Sequence, residues 1–74
     1  MKVTASVVHL DRSLYLPAAI EQALNAYSEF VTVAIVRQTA DEVVVEIQAE
    51  SQAAIDEFLN FALMASLELL LASV

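Results

Sequence analysis

Seventy-four residues suffice for one domain, close to the lower limit at which a chain buries enough surface to fold alone. With no cysteine, no glycine and one histidine, the chain has no disulfide or glycine-rich phosphate loop and little to hold a metal, which moves oligomerisation or a stable complex up the list. A net charge of −7, from ten acidic residues opposed only by Lys2, Arg12 and Arg37, argues against nucleic-acid and anionic membrane surfaces, because both are bound through clustered lysine and arginine.

The stretch from Val3 to Leu10 is rich in β-branched residues and reads as a strand. Alternation puts Val3, Ala5 and Val7 on one face and Thr4, Ser6 and Val8 on the other, the latter expected to be uncovered. Asp11-Arg12-Ser13 breaks the strand. Pro17 suits the first turn of a helix, where its missing N–H is not needed, and Ile20, Ala23, Leu24 and Tyr27 follow at helical spacing. Glu21, Gln22, Asn25 and Ser28 fall on the opposite, solvated side.

Period two returns from Phe30 to Val36, with Val31, Val33 and Ile35 pointing one way and Thr32, Ala34 and Val36 the other. After a turn at Gln38 to Asp41, the run from Glu42 to Gln48 alternates so cleanly that Val43, Val45 and Ile47 must face a core. Ser51 is a candidate N-cap for a last helix over 52–72, with Asp56 and Glu57 near its positive end. The order strand, helix, strand, strand, helix predicts an α+β domain over 1–74, a three-stranded sheet with the third strand central and both helices on one face. This is a ferredoxin-like arrangement lacking its final strand, an analogy of fold that says nothing of activity.

The last helix is apolar nearly all round and, at about 31 Å, longer than the ~26 Å of an eight-residue strand, so its end should overhang the sheet. A hydrophobic content of 59% also exceeds what one small core needs. The expected partner-binding residues are therefore Asn60, Leu63, Leu67, Leu70 and Leu71, and the expected state is a homo-oligomer. Asn60, a poor helix former among Phe58, Leu59, Phe61 and Leu63, either hydrogen-bonds a partner's backbone or sits in the solvated stripe. Ser66 and Glu68 interrupt the longest apolar run before it reaches the ~18 residues of a membrane span, and the amino-terminal run reads as a strand rather than a secretory signal. The expectation is a cytoplasmic protein without membrane contact.

Candidate catalytic residues all have simpler structural explanations. His9 lacks a second histidine or cysteine to complete a metal site, and neither Ser6 nor Ser13 adjoins a base in a recognisable motif. Asp56, Glu57 and Asn60 lie within about one helical turn, but acidic residues near a helix start ordinarily serve the dipole and solubility. No catalytic residue, metal ligand or cofactor site is expected.

Tyr15, Ala19-Ile20, Ala23 and Tyr27, followed by the valine-rich hairpin and Glu57-Phe58-Leu59-Asn60, resemble the small HxsD-type proteins of His-Xaa-Ser peptide systems. That family's tail carries a Leu-Leu-Asn-Asp-Tyr-like motif and then Leu-Arg-Glu, onto which Leu59, Asn60 and Met64 map, with Phe61, Ala65 and Ser66 standing in place of Asp, Arg and Glu. The resemblance implies a bacterial accessory protein working beside radical S-adenosylmethionine enzymes that modify a ribosomally made peptide. The expected function is thus non-catalytic binding of a protein or peptide. The alternative is a structural homo-oligomer, or a small subunit of a larger complex, with no peptide substrate.

Overall fold

The alternation of the Glu42–Ala49 segment decides the architecture, because a strand with large apolar side chains on one face needs a strand on each side and a layer above. A computed structural model describes residues 3–72 and shows this arrangement. Strand β1 (Thr4–Asp11) is followed by helix α1 (Pro17–Ala26), strands β2 (Val31–Gln38) and β3 (Glu42–Ala49), and helix α2 (Gln52–Ala72). The sheet order is β1-β3-β2, with β3 central and antiparallel to both neighbours. Val43, Val45, Ile47 and Ala49 are buried together with Leu10, Val31, Ala23, Ile55, Phe58 and Ala62, so both helices cover the same face.

Two strand readings change. In β1, Val8 pairs with Val45, Ser6 with Ile47 and Leu10 with Val43, which places Thr4, Ser6, Val8 and Leu10 on the covered face and Val3, Ala5 and Val7 on the open one. This reverses the expected assignment. Leu10, 1% exposed, is the physical reason: it is the one large aliphatic side chain in the strand, and its burial sets the phase for the rest. In β2 the register shifts between Ile35 and Arg37, leaving Val36 as a bulge. The extra residue moves Arg37 opposite Val44 on the open face; without it, Arg37 would follow Val31, Val33 and Ile35 onto the covered face as a buried charge. Ile35 is nevertheless 65% exposed, since the helices do not reach that end of the edge strand.

Local chemistry sets the helix ends. Pro17 opens α1, and Ser51 Oγ caps α2 by accepting from the Ala54 N–H at 3.2 Å. Asp56 lies beyond the first turn of α2, where it accepts from Gln52 Nε2 at 3.1 Å, so the helix has no acidic residue in its first turn. The two helices are antiparallel. Tyr27 at the end of α1 makes edge-to-face contacts with Phe58 and Phe61 of α2, while Leu16 before α1 lies against Ser66. Between these points the seam is built of Ala19, Ala23, Ala62 and Ala65, all buried, and such small side chains permit close approach of the helix axes.

Ser66 is the one buried polar side chain among the described residues. Its Oγ accepts from the Leu16 N–H at 3.0 Å and donates to the Ala62 carbonyl at 2.9 Å, tying the β1–α1 connection to α2. That connection is shaped by Asp11, whose Oδ1 accepts from Ser13 N at 2.9 Å and Ser13 Oγ at 2.7 Å. The bond from the Ser13 hydroxyl, followed by that from its backbone N–H, holds the Asp11 carboxyl below its ordinary value of 3.8.

Ser66→Ala is expected to destabilise the fold by about 1–2 kcal/mol despite alanine's better helix propensity, because the half-buried Leu16 N–H loses its acceptor. A urea-unfolding midpoint equal to that of the wild type would contradict this role. Asp11 has a depressed folded-state value, so its contribution to stability is present above 3.8 and lost as pH falls through the folded value. Ser13→Ala should return the Asp11 carboxyl towards 3.8 in an NMR titration. An unmoved titration would show that the Ser13 hydroxyl is not the principal cause.

Candidate protein-binding surfaces

Three surfaces combine exposure with chemistry that a partner can use. The first is the outward side of α2. Its inward side is set by Ile55, Phe58, Ala62, Ala65 and Ser66, which meet the sheet and α1. At 100° per residue, the opposite side carries Asn60, Met64, Leu67 and Leu71, recurring at spacings of four, three and four. Met64 is 52% exposed, Leu67 45% and Leu71 74%. Leu70 and Phe61 flank this row at 41% and 37%, and Leu63 is half-buried beside it. Asn60 is exposed, which places it in the solvated stripe of the chain as described.

The five residues expected from sequence thus lie on the outward side of α2 or at its margins. Met64 and Phe61 belong with them and were not singled out. The four-three-four spacing through Asn60, Met64, Leu67 and Leu71 is the signal that selects Met64. Phe61 is found only through the fold, because its ring also packs on Tyr27 at 5.6 Å. Since Ser66 sits level with Leu16, the segment after it projects past the start of α1, in keeping with a long axis of 45 Å against 23 and 15 Å for the others.

The second surface is the pair of sheet edges. On β2 the bulge at Val36 interrupts the strand, and Arg37 adds a charge beside it, two devices that discourage a further strand. On β1, by contrast, all eight residues keep continuous register with β3 and carry neither proline nor lysine. Its outer edge is the regular one.

The third is the open sheet face. His9 Nδ1 lies 3.3 Å from both Glu42 carboxylate oxygens, and Arg37 Nη2 donates to Glu42 Oε1 at 3.0 Å, so one residue from each strand joins a single cluster. Val44 sits in register between His9 and Arg37 and is only 5% exposed although it faces away from the helices. His9 and Arg37 remain mostly exposed, so the Arg37–Glu42 contact is a surface ion pair of modest strength, with His9 at hydrogen-bonding distance from the same carboxylate. Arg12 Nη1 donates to the Thr39 carbonyl at 2.8 Å, so both described arginines are engaged within the chain and the remaining surface is dominated by carboxylates.

Two hollows at the end of the sheet share Glu29, Phe30 and Glu50 in their walls. Among the described residues no group of histidine, aspartate and glutamate is arranged to hold a metal ion, and no helix is long and apolar enough to cross a membrane. Comparisons with protein-family models, with curated proteins and with solved structures returned no match.

Proposed function

We propose that this chain is a non-catalytic accessory protein that binds an extended peptide or protein segment along β1. The observation that carries this reading is the uninterrupted outer edge of β1 beside a β2 edge that is blunted by a bulge and a charge. An added strand gains main-chain hydrogen bonds along the edge, and alternate side chains meet either the open face around Val3, Val7 and His9 or the rim of the helical layer. The resemblance to HxsD-type proteins supplies the context, support for radical S-adenosylmethionine maturation of a ribosomally made peptide, and names a class of ligand to try. A second reading, a structural homo-oligomer or small subunit of a larger complex, is favoured by the outward side of α2 and does not require a peptide.

A fluorescein-labelled peptide of His-Xaa-Ser repeats, followed by anisotropy, tests the first reading. Because N–H groups alternate between the two sides of a strand, Ser6→Pro and Val7→Pro are both needed, one removing a donor to β3 and the other a donor to the outer edge. The outer-edge variant, folded by circular dichroism, should bind about five- to thirtyfold more weakly, as expected for loss of one or two edge hydrogen bonds at ~1 kcal/mol each. Ala34→Pro on β2 and His9→Ala should stay within a few-fold of wild type. Failure of the wild type to bind, or loss of binding in His9→Ala alone, would sink the proposal.

A further inference from the structure

The row Asn60, Met64, Leu67 and Leu71 has the spacing of one helix packed along another, and α2 carries acidic residues but no basic ones to flank it. We infer that its occupant is α2 of a second copy, running antiparallel, with Met64 of each copy opposite Leu67 of the other and the two-fold axis between them. This rests on the reading of α2 as an association face and is independent of peptide binding at β1.

Area and charge both select this arrangement. At about 200 Å² for a fully exposed large side chain, Phe61, Met64, Leu67 and Leu71 together expose roughly 400 Å², at the scale of the largest apolar patch on a typical monomer. Two copies contribute about 800 Å² from these side chains alone, and the flanking Asn60, Leu63 and Glu68 bring the total to the ~1,000 Å² that a specific interface needs.

A parallel pair would set Glu57 against Glu57 and Asn60 against Asn60 along the row, opposing two uncompensated carboxylates near an apolar seam. The antiparallel register separates the two Glu57 carboxylates to opposite ends of the contact. It also brings Asn60 level with Leu71 of the other copy, so that the polar end of each row meets the apolar end of the other and the two Asn60 side chains lie at opposite ends of the contact. In the same register Leu63 meets Leu70 across one flank and Phe61 meets Glu68 across the other.

The chain has no cysteine, so single-cysteine variants report this geometry directly. In the antiparallel register Asn60 lies beside Leu71 of the second copy, whereas like positions are about 16 Å apart along the axis, beyond the ~7 Å limit of a disulfide. Asn60→Cys and Leu71→Cys, each confirmed folded, are oxidised mildly alone and as an equal mixture, and wild-type mass is measured by sedimentation equilibrium. The expected result is a dimeric wild type and a disulfide-linked heterodimer that forms only in the mixture. Cross-linking of each variant alone would overturn the antiparallel register while leaving α2 as the association face. A monomeric wild type, or a dimer in which neither the variants nor their mixture cross-link, would overturn α2 pairing itself and leave the β1 reading standing.

Discussion

The close packing of α1 on α2 is the contact on which the remaining surfaces depend. Ala19, Ala23, Ala62 and Ala65 fill the seam with side chains too small to hold the helices apart, and Ser66 closes its end by accepting from the Leu16 N–H and donating to the Ala62 carbonyl. Drawn together in this way, the helices share one face of a three-stranded sheet, and each can show only part of its circumference to that face. For α1 this suffices, because Glu21, Gln22 and Asn25 occupy its outer side. For α2 it does not. The side of α2 turned away from the alanine seam is the side that carries Met64, Leu67 and Leu71, and the sheet has nothing left with which to cover them.

Much of this was legible because β3 and α2 have simple patterns. Glu42 to Gln48 alternates with Val44 alone out of step, so its central place, the inward Val43, Val45 and Ile47, and the side occupied by the helices follow from burial. The β1 phase was harder to read because both of its faces contain small and β-branched residues, and valine stands on each. Only Leu10 distinguishes them, and it does so through volume rather than polarity. The bulge in β2 is a tertiary solution to a local conflict: continued alternation would bury Arg37, and one extra residue places it against Glu42 instead.

The candidate surfaces were legible to a different degree. An apolar circumference on a helix longer than the strands signals an exposed face, which is why Leu63, Leu67, Leu70 and Leu71 could be named from composition and spacing. Which of the two sheet edges is the regular one depends on a hydrogen-bond register, and periodicity carries no trace of the irregularity at Val36 until Arg37 is required to face solvent. The cluster of His9, Glu42 and Arg37 likewise needs the pairing of three strands before its members meet. Its role is accounted for by the shielding of Val44 and the placement of Arg37, two structural tasks on an otherwise open face.

The central claim is that the fold leaves α2 partly uncovered and that a second copy completes its burial. A small domain whose stability includes an interface must become more stable as its concentration rises, because association draws only on the folded state. Thermal unfolding of the wild type over about a hundred-fold range of protein concentration is therefore the most direct measurement. The account predicts a midpoint that climbs steadily with concentration. A midpoint constant across the whole range, with a single cooperative transition throughout, would show that the monomer is the complete folding unit and would contradict it.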